Sequence, residues 1–129
     1  MNSIKILVID DEKGLRDILF KRFKAWRYEV ETAKDAKQGI EKLKKEIFNV
    51  ILLDIVIPKE EFEDNFKTVR KHAPDTPVII MTGLTPMLAE GLFDTEIRKK
   101  TAGVIYKPFR FQELIFTIED IIEPSGVFS

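Results

Sequence analysis

Cysteine is absent from the 129-residue chain, which excludes disulfides, thiolate nucleophiles and cysteine-based zinc sites. Histidine occurs once, as His72. A zinc site of the HExxH type is therefore impossible, and any Ser-His-Asp triad would have to use that single imidazole. His72 stands in Arg70-Lys71-His72-Ala73-Pro74, at an expected helix end where cationic side chains are ordinary, so it reads as structural or solvated. An excess of one charge is lacking as well. The 21 basic and 22 acidic residues leave a formal net charge of −1, and no global field favours nucleic acid or an anionic membrane. The densest basic cluster, Lys42, Lys44 and Lys45, is flanked by Glu41 and Glu46 and reads as a solvated helix face. No apolar run approaches the roughly 20 residues that span a bilayer. Met1-Asn2-Ser3-Ile4 lacks the layout of a signal peptide, so a cytoplasmic location is expected.

What is present is a single-domain pattern. Apolar residues make up 44% and charged residues 33% of the chain, a globular composition at a length that buries one substantial core. Short apolar runs at Ile4–Ile9, Tyr28–Thr32, Val50–Leu53, Val78–Met81 and Val104–Tyr106 predict strands. Between and after them lie stripes at helical spacing. The first is Leu15, Ile18, Leu19, Phe23 and Trp26; the second is Ala36, Ile40, Leu43 and Ile47. Phe62, Phe66, Val69 and Ala73 form the third, and Leu88, Leu92 or Phe93, and Ile97 a weaker fourth. Leu114, Ile118, Ile121 and Ile122 complete the set. Strict alternation of strand and helix predicts an α/β fold, a doubly wound parallel sheet with right-handed crossovers. In the second strand Glu29 and Glu31 alternate with Tyr28, Val30 and Thr32, which suits an edge. The strand order is then 2-1-3-4-5, with its switch point between strands one and three.

Those two strands end in acids. Asp10 and Asp11 follow Ile9, and Asp54 follows Leu53. Ligands of open α/β sheets bind outside the carboxyl ends of the strands at the switch point. Three acids gathered there would repel one another without a cation between them. Thr82 ends the fourth strand, and Lys107, before Pro108, ends the fifth. Mg²⁺ prefers hard oxygen ligands, a carboxylate is a competent nucleophile toward phosphorus, and a hydroxyl and an ammonium suit phosphoryl oxygens. Each element has an ordinary alternative. Asp11 before Glu12 fits a helix N-cap, Thr82-Gly83 a turn, and Lys107-Pro108 a strand end. Asp54 is harder to dismiss, because Ile55, Val56 and Ile57 follow it and it risks burial without a partner.

Taken in order and spacing, four segments resemble the bacterial two-component response-regulator receiver domain over essentially the whole chain. They are Ile6-Leu7-Val8-Ile9-Asp10-Asp11-Glu12, Val50-Ile51-Leu52-Leu53-Asp54 with Pro58, Val78-Ile79-Ile80-Met81-Thr82-Gly83, and Lys107-Pro108-Phe109. The resemblance implies a flavodoxin-like (βα)5 fold. It implies that Asp54 takes a phosphoryl group from a sensor histidine kinase or phosphotransfer protein. Asp10, Asp11, Asp54 and the backbone carbonyl of Val56 would hold Mg²⁺. Thr82 would bind a phosphoryl oxygen and move on activation, and Lys107 would pair with the phosphate or Asp54. The chemistry would be self-phosphorylation and slow autodephosphorylation, with no metabolite turned over. The face of helix four, strand five and helix five would meet a downstream output protein or domain, or a second copy in a homodimer. Direct nucleic-acid or membrane binding by this domain is not expected. Residues 1–123 would form the receiver, and 124–129, with Pro124-Ser125-Gly126, a tail or the start of a linker.

The chain departs from the family pattern in places. Val104 stands where an aromatic residue is usual, with Tyr106 two positions later on the same face. Ile57 replaces the methionine before Pro58, and Phe62 the glycine after it; Phe62 cannot adopt glycine's positive φ cheaply, so that loop is expected to take another path. The stretch from Thr82 to Lys107 is long and contains Pro86, so helix four is expected to start late or be displaced. Val56 and Leu84 occupy positions that in this family influence access of hydrolytic water, and both are apolar. Three rival readings exist. A phosphatase of the haloacid-dehalogenase type would need a second acid where Val56 stands. A flavodoxin-like cofactor binder would need a Ser/Thr/Gly-rich phosphate loop where Asp10-Asp11-Glu12 stands. A degenerate receiver would act as an unphosphorylated interaction module.

Overall fold

The computed structural model describes residues 3–56, 59–91, 93 and 95–123. Its elements run β1 (Lys5–Ile9), α1 (Lys13–Ala25), β2 (Glu29–Ala33), α2 (Ala36–Leu43), β3 (Val50–Asp54) and α3 (Lys59–His72). After these come β4 (Val78–Thr82), α4 (Pro86–Glu90), α5 (Thr95–Lys100), β5 (Gly103–Tyr106) and α6 (Phe111–Ile122). The strands form one sheet in the order β2-β1-β3-β4-β5. Every pairing is parallel, with Ile6 opposite Val30 and Val50, Leu53 opposite Ile80, and Thr82 opposite Tyr106.

The sheet is covered on both faces, and strand alternation divides the core accordingly. Leu7, Ile9, Ile51, Leu53 and Ile80 pack with Phe62, Phe66, Val69 and Ile97 on one side. Ile6, Val8, Val50, Leu52 and Met81 pack with Leu19, Phe23, Leu114 and Ile118 on the other. Central strands β1, β3 and β4 are therefore apolar at almost every position, while β2, at the edge, keeps Glu29 exposed. Gly39 lets α2 approach β1 closely: a Cβ there would lie 2.5 Å from Ile9 Cδ1.

The helical stripes are trimmed by where each helix points and ends. In α1, Leu19 and Phe23 are buried, whereas Ile18, one position and about 100° off that line, is 56% exposed. Trp26 falls after the helix and stays half-exposed, edge-on to Phe111 at 6.1 Å. Helix α2 stops at Leu43, so Ile47 is exposed and Phe48 enters the core instead. Beyond β4 the single expected helix is two short ones. Helix α4 begins at Pro86 behind Thr85, whose hydroxyl accepts from the Leu88 N–H at 3.4 Å. It ends at Glu90 before Gly91, and α5 follows from Thr95. Ala89 and Ile97 face the core there, Phe93 is half-buried and Leu88 is exposed; Leu92 lies outside the described residues. The expected fifth helix is thus α6.

Phe62 explains the altered β3–α3 connection. It lies inside α3, fully buried, with ring centroids 6.3 Å from Phe66 and 6.0 Å from Phe93. The chain is already helical at the position that resembled a glycine turn, so no positive φ is required. Ile57, Pro58 and Pro124-Ser125-Gly126 lie outside the described residues.

Candidate functional site

Parallel pairing in this order brings the ends of β1, β3 and β5 to one edge, and with them Asp10, Asp54 and Lys107. The Lys107 ammonium bridges the other two, 2.7 Å from Asp10 Oδ2 and 3.1 Å from Asp54 Oδ1. Asp10 is 1% exposed, and burial of a carboxylate demands such partners. Its second oxygen, Oδ1, accepts from the Glu12 N–H at 2.8 Å. Its own N–H donates to the Ala33 carbonyl at 3.0 Å, and its carbonyl accepts from Arg16 Nη1 at 2.8 Å. Asp11 is exposed and its carboxylate makes no hydrogen bond among the described residues. The N-cap reading of Asp11 therefore does not hold: the cap position of α1 is Glu12, without a side-chain cap bond, and the local acceptor is Asp10.

The electrostatics follow from this crowding. Burial and the neighbouring charge of Asp10 push the Asp54 carboxyl up to about 6, against the opposing pull of Lys107. Burial works against the charge of Lys107, but its hydrogen bond to Asp10 and the charge of Asp54 prevail and raise its pKa. The ammonium thus stays charged and offsets part of the repulsion among the acids.

One oxygen each from Asp10, Asp11 and Asp54 lies within 4.8 Å of the others. Neighbouring oxygens around an octahedral Mg²⁺ are about 2.9 Å apart and opposite ones about 4 Å, so modest side-chain movements would bring these hard donors onto one ion. The acids open into a cavity of about 130 Å³ whose walls include Val56, Lys34, Asp35, Glu61 and Asn65. Thr82 sits at the end of β4 but is not joined to the acids. Its hydroxyl accepts from the Leu84 N–H at 3.0 Å, and its carbonyl accepts from the Lys107 N–H at 2.6 Å. It is 1% exposed. Through its backbone Thr82 helps to position Lys107, whose peptide bond to Pro108 is cis.

Sequence reasoning missed Arg16, Lys34, Glu61 and Asn65. Lys34 could have been found, because it directly follows the strand that neighbours β1. Arg16 reaches back six residues to a backbone atom, and no side-chain motif announces such a bond.

With this site at the switch edge of the sheet, the chain belongs to the response regulator receiver domain family, whose model matches residues 6–119. It is a receiver domain of the two-component type, a class of signalling modules rather than classical enzymes. Among curated relatives, the probable transcriptional regulator ycf27 of Porphyridium aerugineum is 32% identical over 95% of this chain and 49% of its own length. The transcriptional regulatory protein ZraR of Klebsiella oxytoca is 27% identical over 93% of this chain and 26% of its own length. The chain spans about a quarter to a half of these relatives. Among solved structures, a CheY-like receiver domain protein from Methanospirillum hungatei JF-1 is similar at a TM-score of 0.81 and 25% identity, covering 95% of this chain and 96% of that one. The chemotaxis protein CheY4 of Vibrio cholerae is similar at 0.79 and 26%, covering 93% and 99%. No helix among the described residues is long and apolar enough to cross a membrane.

Proposed function

We propose that the chain is a phosphoacceptor switch in which Asp54 takes a phosphoryl group from a sensor histidine kinase or phosphotransfer protein. The observation that carries this reading is the grouping of three carboxylates, two of them bridged by a lysine ammonium, in a receiver domain. Asp10, Asp11, Asp54 and the Val56 carbonyl would hold Mg²⁺, which when bound supplies charge neutralisation for the phosphoryl oxygens. The ionised Asp54 oxygen attacks phosphorus, the bond to the donor's imidazole nitrogen breaks, and that nitrogen keeps the electron pair and is reprotonated from solvent. Lys107, already between Asp10 and Asp54, remains to hold a phosphoryl oxygen. Thr82 exchanges its hydroxyl contact with the Leu84 N–H for another phosphoryl oxygen, which pulls the start of the β4–α4 loop inward. The face formed by α4, α5, β5 and α6 then changes its fit to an output protein or domain, or to a second copy of the chain.

Residues 1–123 would constitute the switch, and 124–129 a tail or the start of a linker. The names of the curated relatives favour a transcriptional output, and a cytoplasmic location suits a partner of that kind. The module modifies itself and turns over no metabolite. Incubation with acetyl phosphate and Mg²⁺ should add one phosphoryl mass to the wild type and none to Asp54→Asn. Absence of the adduct in the wild type would favour an unphosphorylated interaction module; steady phosphate release from diverse esters would favour a phosphatase.

A further inference from the structure

All four hydrogen-bonding atoms of Asp10 are engaged. Three of the partners are the neighbouring strand end (Ala33), its own turn (Glu12) and the site lysine (Lys107). The fourth comes from the body of α1, where the half-buried Arg16 donates Nη1–H to the Asp10 carbonyl at 2.8 Å. That carbonyl and the Asp11 N–H belong to one planar peptide unit. Holding the oxygen therefore fixes the plane that contains the Asp11 Cα. Asp11 needs such help, because its carboxylate has no hydrogen bond of its own among the described residues, yet it lies within reach of Asp10 and Asp54.

The geometry points to Arg16 as a positioning residue of the acid cluster, one that clamps the Asp10–Asp11 peptide so that the free Asp11 carboxylate stays presented to a divalent cation. This rests on reading the cluster as the Mg²⁺ site. Two effects of Arg16 have opposite signs. As a nearby positive charge it repels a cation, so its removal would tighten Mg²⁺ binding. As a clamp it holds a ligand in place, and its removal loosens binding, as loss of outer partners of metal ligands generally does by tenfold or more. The clamp is a single N–H to one carbonyl, a contact that a lysine ammonium can also make.

The test is calorimetric titration of Mg²⁺ into the full chain and into Arg16→Met and Arg16→Lys, with melting temperatures recorded without metal. The expected result is an Mg²⁺ affinity about tenfold weaker in Arg16→Met, close to wild type in Arg16→Lys, with the metal-free melting temperature little changed. Unchanged or tighter binding by Arg16→Met overturns the role. So does a lower melting temperature with unaltered affinity, or an Arg16→Lys variant as weak as Arg16→Met. If Arg16→Met does not fold, Arg16→Leu, which also lacks a donor, is read by the same criteria. A wild type that binds no Mg²⁺ overturns the metal reading together with this one, whereas wild-type binding with an indifferent Arg16→Met overturns this one alone.

Discussion

Asp54 carries the sharpest conflict of any residue in the fold. To act as the proposed nucleophile it would have to be ionised, yet burial and Asp10 raise its pKa to about 6 from an ordinary value of about 3.9. Between those two values the folded protein binds more protons at Asp54 than the unfolded chain does. Its contribution to stability therefore falls as pH rises from about 4 to about 6, and the deficit persists above that window. In metal-free buffer, Asp54→Asn should remove this slope and stabilise the fold at pH 7 by roughly 1–2 kcal/mol. Urea denaturation at several pH values with a chelator checks this; a stability that rises through the same window would contradict it. Added Mg²⁺ should raise wild-type stability at neutral pH by mass action and leave Asp54→Asn less affected.

Val56 and Leu84 define a second prediction at the same scale. Neither side chain can hydrogen-bond a water, and both pack against the apolar cluster around Phe62. Phosphorylated protein with Mg²⁺ should therefore lose its phosphate slowly, and Val56→Asn should accelerate the loss, followed by intact mass over time. Rapid loss unaffected by that substitution is the contrary result.

Among the elements, the crossover from β4 to β5 and the start of α3 are tied together by aromatic packing. Phe62 and Phe93 touch across them, and Val104, Leu84 and Val56 pack on the same cluster. Val104 thus occupies its position with a side chain already packed inward. Phe62→Ala should destabilise by about 3–5 kcal/mol, the usual loss for a buried aromatic side chain, measured by denaturant melts. Helices of five and six residues have little stability of their own. Amides of α4 and α5 should exchange faster than those of α1 and α6; equal protection would contradict this division.

The strands and their order were legible in the sequence because fully buried strands leave continuous apolar runs and the edge strand alternates. The acids, Thr82 and Lys107 were legible because strand ends are easily placed once the order is known. Helix details were less so. Ile18, Ile47 and Leu88 fit a period that the helices do not carry to those positions, since periodicity is silent about where a helix stops or how it rolls on the sheet. The split crossover was visible only as extra length with Pro86 inside it. The Arg16 contact was invisible, because a bond to a backbone carbonyl depends on tertiary geometry and not on residue spacing.

At the scale of the whole molecule, the doubly wound sheet places chemistry at one edge, while α4, α5 and α6 flank β4 and β5. On the proposed reading, a phosphoryl group on Asp54 would add negative charge beside Lys107, and the response of that lysine is what the rest of the fold would report. The acid cluster and its lysine lie together at one edge of the sheet, and the β4–β5 crossover is built differently from the pattern the sequence resembles. The most direct test is location of the phosphoryl group. Protein treated with acetyl phosphate and Mg²⁺ is reduced with borohydride, which converts an aspartyl phosphate to homoserine, and then mapped by peptide mass spectrometry. The account predicts homoserine at position 54, dependent on Mg²⁺ and lost when a chelator is present during phosphorylation. Homoserine at another acid, or none at position 54 with Mg²⁺ present, would contradict it.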